Sequence, residues 1–392
     1  MIITLVAFLL ILSILVIIHE AGHFFTAKFF GIKVEEFGFG FPPRALGIKK
    51  GETIYSVNWL PIGGFVKLYG EDEAGGGRVG SKKLEMANNK DVQHAFYARP
   101  AWQRSLVIVA GVVMNTVLAI IIYYIFLSLS NFKTELPLLD PNFNFVGANQ
   151  TVNSQILVSQ VVPNSPASKV GIKPGTALIA IDGKKISDYT NVPKIIDSHK
   201  GTPVSLTLQN PATLIKRTVD VIPRIHPPKN QGAIGIAFFP MQSMILTYTT
   251  WQQKMFSGIT YPYNMLVYNF DVIGKLVAVS VKQHTITPIS ESVSGPVGIY
   301  SVVGTVVHIP NVKERILEIL NLMGLLSISL AFFNILPIPA LDGGRFFFIL
   351  FEMVFRRKVN PVIEGYVHTI GMALLLILLL LVTVSDVGKL LH

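Results

Sequence analysis

Apolar residues run along this chain in long blocks. A helix needs about 20 consecutive, mostly apolar residues to cross a bilayer. Four segments come close: roughly 2–30, 105–130, 317–337 and 368–388. They predict a polytopic α-helical membrane protein with about four transmembrane helices, placed at 1–30, 105–130, 317–345 and 368–390. The pattern changes over 155–224, where β-branched runs alternate with turns at Pro163-Asn164-Ser165, Lys173-Pro174-Gly175 and Asp182-Gly183. Strands are expected near 156–162, 177–181, 204–208 and 219–222, with a helix near 192–197, forming a small soluble domain. The stretch 225–316 is mixed. Residues 265–281 are interrupted by Asp271 and Lys275 and read as an amphipathic or interfacial extracytoplasmic segment rather than a span. Residues 232–247 are the strongest competitor for a further span.

Between the first two apolar blocks, 31–104 carries Glu36-Phe37-Gly38-Phe39-Gly40-Phe41 and Trp59-Leu60-Pro61-Ile62-Gly63-Gly64-Phe65-Val66-Lys67-Leu68. These read as short strands of a membrane-associated β-hairpin with a turn at Gly63-Gly64. They are too apolar for an ordinary cytosolic loop. A hairpin at membrane depth requires its backbone to be covered by protein. The polar, Gly-rich run 71–91 reads as a flexible cytosolic loop.

Composition agrees with a membrane protein: 51% of the 392 residues are hydrophobic and only 14% charged. The first block has no basic leader and no small-residue cleavage pattern before His19, so it reads as a retained helix rather than a signal peptide. The absence of cysteine excludes disulfides, thiolate catalysis and Cys-ligated metal, leaving histidine and carboxylate as metal ligands. The net charge of +10 is spread through loops without a nucleic-acid-binding motif, so no nucleic-acid partner is expected. Lys28, Lys33, Arg44, Lys49, Lys50, Arg99, Arg104, Arg345, Arg356, Arg357 and Lys358 flank the spans instead. The positive-inside rule makes those loops cytoplasmic and puts 131–316 outside.

The chemistry begins at His19-Glu20-Ala21-Gly22-His23. In a helix, residues four apart share a face, so both imidazoles can bind one ion. Glu20 stands beside them, placed to take a proton from a water that Zn²⁺ polarises, lowering its pKa from 15.7 to about 7. Ionisable residues near a bilayer cost about 2.5–3.5 kcal/mol each on insertion scales and usually mark function. At 1.5 Å per residue His19 lies about 25 Å along the helix, near the cytoplasmic edge of the hydrocarbon.

The best third ligand is Asp342, in Asn334-Ile335-Leu336-Pro337-Ile338-Pro339-Ala340-Leu341-Asp342-Gly343-Gly344-Arg345. With four spans, parity puts this motif at the depth of His19. Pro337 and Pro339 break the helix and Gly343-Gly344 permits a sharp turn, freeing the carboxylate. Two histidines, one carboxylate and a water make a catalytic zinc site. A simple turn residue is the alternative for Asp342. The remaining histidines, His368 among them, read as isolated.

These motifs resemble the site-2 protease family of intramembrane zinc metalloproteases, particularly the bacterial regulators of the envelope stress response. The resemblance rests on His19–His23, Leu60-Pro61-Ile62-Gly63-Gly64-Phe65-Val66-Lys67, Ser294-Gly295-Pro296-Val297-Gly298 and 334–345, in order along nearly the whole chain. It implies zinc at His19, His23 and Asp342, with Glu20 as general base. It implies that the hairpin, through Gly63, Gly64, Phe65, Val66 and Lys67, pairs with an unwound substrate strand. Asn334 and Asn115 resemble asparagines that help hold substrate; interhelical hydrogen bonds are their other reading. The turns around 162–175 imply a single PDZ domain at 155–224, which either binds a peptide or excludes bulky substrates. The implied setting is the bacterial cytoplasmic membrane, with the PDZ domain outside and the active site near the cytoplasmic side. The implied substrates are single-span membrane proteins, such as anti-sigma factors or signal-peptide remnants, shortened first by a site-1 type protease. A non-catalytic scaffold and a transporter are the alternatives.

Overall fold

The computed structural model describes residues 2–71, 92–138, 140, 142–186, 189–209, 216–228, 231–285, 294–357 and 359–391. Most of the expected loop 71–91 therefore lies outside the described residues. In chain order the elements are α1 (Ile2–Phe29), β1 (Val34–Lys50), β2 (Thr53–Leu68), α2 (Ala101–Leu129), β3 (Lys133–Pro137), β4 (Asn149–Val161), α3 (Pro166–Lys169), β5 (Ala177–Ile181) and β6 (Lys184–Lys185). They continue with α4 (Val192–Ser198), β7 (Val204–Gln209), β8 (Lys216–Val221), β9 (Ile236–Thr247), α5 (Trp251–Gln283), α6 (Pro296–Val307), α7 (Val312–Ile335), α8 (Asp342–Phe355) and α9 (Pro361–Leu391). They form two compact units, one of Met1–Asn131 with Trp251–His392, the other of Phe132–Thr250.

In the first unit, local chemistry sets the helix ends. Gly31 follows α1 in the left-handed region (φ 66°), where glycine pays no Cβ penalty. The Asn311 side chain accepts a hydrogen bond from the Glu314 amide and caps α7. By length and composition five helices are apolar enough to cross a membrane: α1, α2, α5, α7 and most of α9. The chain is a multi-pass membrane protein, and the expected count of four candidate spans is corrected to five. The added helix is α5. Asp271 and Lys275 interrupt the pattern over 265–281, whereas the helix runs for 33 residues from Trp251 to Gln283 and is apolar enough along part of that length. The competing segment 232–247 is no span; it contains β9, a strand paired with both β3 and β4.

The hairpin is folded on itself. Residues 36–39 are aligned with 64–67 and also with 54–57. A strand has two lateral neighbours, so 36–39 lies between the two halves of β2. Segment 64–68 is then an edge, with no further strand beside it among the described residues.

The second unit is a seven-stranded sheet of order β3-β9-β4-β5-β7-β8, with β6 on β5. Residues in β7 alternate between buried and half-buried. Val158, Ala167, Val192, Val204, Leu206 and Leu208 fill its core. β5, β7, β8 and α4 lie where the pattern placed strands and a helix, while β3 and β9 widen the unit beyond 155–224.

Candidate metal centre

Two glycines bring α1 and α2 together at the histidines. A Cβ on Gly22 would sit 2.4 Å from the Ala110 carbonyl oxygen, and one on Gly111 2.4 Å from His23 Nε2 and 2.7 Å from His19 Cε1. Only hydrogen fits at either position. Small residues permit this kind of close backbone approach between membrane helices.

His23 Nδ1 lies 2.8 Å from the Val107 carbonyl oxygen, which can only accept, so Nδ1 carries the proton in the neutral ring and Nε2 keeps its lone pair. That Nε2 is 3.2 Å from His19 Nε2 and 3.3 Å from Asp342 Oδ2, and His19 Nε2 is 2.9 Å from Asp342 Oδ2. The ligand atoms of the three residues all lie within 4.8 Å of one another. Tetrahedral zinc with bonds of 2.0–2.1 Å separates neighbouring ligand atoms by about 3.3 Å. The donor set therefore fits zinc in type, number and spacing. It also calls for a cation, because His23 Nε2 and the Asp342 carboxylate face each other as two acceptors.

The asparagines stand against His19. Asn115 is fully buried, with Nδ2 3.4 Å from His19 Nδ1, and Asn334 Nδ2 is 3.5 Å from His19 Nε2. Turning the Asn115 amide over would let Oδ1, which otherwise has no hydrogen-bond partner, accept from His19 Nδ1–H and free Nε2 for metal.

Glu20 borders two cavities. One, of about 350 Å³, is lined also by His19, Gly63, Gly64, Asn115 and Asn334. The other, of about 190 Å³, has Glu20, His23, Phe65, Val66, Glu71 and Arg345 in its wall. The edge 64–68 passes close to the chemistry, since a Cβ on Gly64 would lie 3.4 Å from Glu20 Cγ. Lys67 borders neither cavity and lies 3.6 Å from Glu35.

Several contributors had no clear mark in the sequence. Arg345 Nη1 reaches Glu71 Oε1 at 2.8 Å and ties the end of the hairpin to α8. Burial pushes the Glu71 carboxyl above its ordinary pKa, against the lowering effect of Arg345. Gly22 was visible only as a small residue beside His23, and Gly111 only as a small residue four before Asn115. His368, buried on α9, bonds the loop before Asp342. Its available signal was an ionisable residue inside an apolar run.

A two-histidine, one-carboxylate cluster with a glutamate beside it, set among apolar helices, defines a metalloprotease-type centre in a membrane protein. The model of Peptidase family M50 matches residues 7–378, and the chain belongs to that family. It is similar to a Clostridium acetobutylicum protein described as a zinc metalloprotease, with 31% identity over 97% of this chain and 96% of that protein. A Fusobacterium nucleatum protein described in the same way is 33% identical over 97% of each chain. The regulator of sigma-W protease RasP of Bacillus subtilis is 26% identical over 99% of each. The chain is accordingly a zinc metalloprotease of the site-2 type, and its cofactor is zinc.

Proposed function

We propose that this protein is an intramembrane endopeptidase that hydrolyses the transmembrane segments of single-span membrane proteins. His19, His23 and Asp342 hold zinc and Glu20 is the general base. The observation that carries the reading is the juxtaposition of the metal cluster, Glu20 and the open strand edge 64–68. A transmembrane substrate helix hides its amides in its own hydrogen bonds. It must unwind before its carbonyl carbon can be attacked, and the 64–68 edge offers replacement partners for the amides released. Zinc, when bound, supplies Lewis-acid polarisation and makes water acidic enough to be deprotonated near neutral pH. Glu20 takes that proton and can return it to the leaving amide nitrogen. Gly63, Gly64, Phe65 and Val66 hold the substrate strand, with Lys67 at its end. Asn334 and Asn115 border the cavity it would enter.

Four of the apolar helices cross fully in this reading. Gly324 packs on Tyr123, Ser327 Oγ bonds the Asn115 carbonyl oxygen and Asn334 reaches His19, so α7 runs antiparallel to α2. The chain between them must then cross the membrane an even number of times. The one other described helix in that interval outside the 132–250 unit that is at all long, α6, has 12 residues and spans about 18 Å, too short to return from a crossing by α5. This supports α5 as a helix that does not cross. It also supports an extracytoplasmic 132–250 unit, with the metal centre near the cytoplasmic face of a bacterial membrane. Within that unit, residues 155–224 act as a PDZ domain that binds peptide or screens substrates by size. A relative named for sigma-W regulation supports substrates such as anti-sigma factors, cut first by a site-1 type protease.

Cells carrying Glu20→Gln provide the test. Single-span proteins trimmed to their membrane segments should accumulate in the membrane fraction and be identified by mass spectrometry. An unchanged membrane fragment profile relative to wild type would overturn the reading.

A further inference from the structure

We propose that His368, on α9, is a positioning residue that sets the loop presenting Asp342 to the metal. The inference rests on Asp342 as the third zinc ligand. Between α7 and α8 the chain passes through Pro337 and Pro339, neither of which can donate a hydrogen bond. Ala340 then adopts φ 75°, a conformation L residues rarely take. An unusual backbone conformation persists only where the surroundings enforce it. Two contacts from α9 do so here. The Ala340 amide donates to His368 Nδ1 at 2.8 Å, and Gly371 lies so close that a Cβ there would sit 2.3 Å from Pro339 Cβ.

The placement of these contacts is selective. Most of α9 beyond them is bare protein surface, with Leu374 and Leu376 through Leu381 largely exposed. His368, by contrast, is 2% exposed, and its ring lies 5.6 Å from that of Phe348 on α8. A cavity of about 460 Å³, bordered by Ala340, Arg345, His368 and Thr369, adjoins the loop, so packing alone does not hold it there. Because Nδ1 accepts, the neutral ring carries its proton on Nε2, a buried donor with no partner among the described residues. An imidazole in an apolar helix, with Nδ1 turned to the Ala340 amide, points to work done by Nδ1. Two residues after Ala340 comes Asp342, so freedom in the loop becomes freedom of the carboxylate.

Three variants separate the acceptor from the packing. In His368→Asn, Oδ1 stands the same two bonds from Cβ as Nδ1. His368→Leu keeps that shape without an acceptor, and His368→Gln carries its acceptor one atom too far. The readouts are the half-time of zinc transfer to a chelator and the visible spectrum of the cobalt-substituted protein. His368→Leu and His368→Gln should release metal about 10- to 100-fold faster, the range seen when support around metal ligands is removed. Their cobalt spectra should shift, while His368→Asn stays close to wild type. Thermal unfolding of His368→Leu should come no earlier, since leucine suits a membrane helix. Wild-type release from His368→Leu, or equal release from the Asn and Leu variants, would overturn the proposal. If the Leu variant does not fold, Asn against Gln decides. Asp342→Ala separates the two readings: zinc held as in wild type removes Asp342 as a ligand, whereas zinc lost there but kept in His368→Leu removes only the role of His368.

Discussion

The outer strands of the large sheet and the hairpin near the metal centre treat their edges differently. At one end of the 132–250 sheet, β3 carries Lys133, Glu135 and Pro137; at the other, β8 carries Lys216, Arg217 and Asp220. Charges and proline at an edge discourage another strand from adding to it. The 64–68 edge begins Gly-Phe-Val, carries its one charge at Lys67 beside Glu35, and passes within contact of Glu20. The hairpin also exposes Leu46, Ile48 and Trp59, each above 70%, whereas the large sheet encloses its own core. One sheet carries charge or proline on its two outermost strands. The other keeps an apolar, unguarded edge where the chemistry is.

Substitutions can break that contrast, the largest effect on cleavage coming first. Gly111→Leu drives a side chain onto His23 Nε2, and zinc content by metal analysis should collapse with cleavage reduced at least about 100-fold. Gly183→Ala, at an open left-handed turn of the other unit, should leave zinc and cleavage intact and cost about 1–2 kcal/mol in unfolding. Phe65→Pro takes a backbone N–H out of the 64–68 strand. It should lower kcat/KM for a transmembrane substrate about tenfold, or about 1.4 kcal/mol, at full zinc occupancy. Leu206→Ala empties a fully buried position and should cost the 132–250 unit about 2–5 kcal/mol, read by limited proteolysis, with unchanged cleavage of a short membrane-segment peptide.

What was legible in the sequence follows from how local the physics is. His19 and His23 share a helix face because of their spacing alone, and β5, β7 and α4 follow from patterns a few residues long. Asp342 was reached by counting spans, an indirect route that the 2.9 Å contact with His19 replaces. Partners far apart in the chain had no such signal. The pairing of β9 with β4, the Glu71–Arg345 bridge and the hydrogen bond from Ala340 to His368 join residues whose patterns are unremarkable singly. The span count differed because Asp271 and Lys275 were weighed over 265–281 alone, whereas the helix runs from Trp251 to Gln283 and its length leaves a stretch apolar enough to cross.

The central claim is that one zinc held by His19, His23 and Asp342 works with Glu20 on a strand laid along 64–68. Its most direct test is purified Glu20→Gln, assayed together for bound zinc and for cleavage of a single-span substrate. The account predicts one zinc per chain, as in wild type, with cleavage reduced by about 100- to 10,000-fold, the range supplied by a general base. Cleavage at the wild-type rate would contradict it.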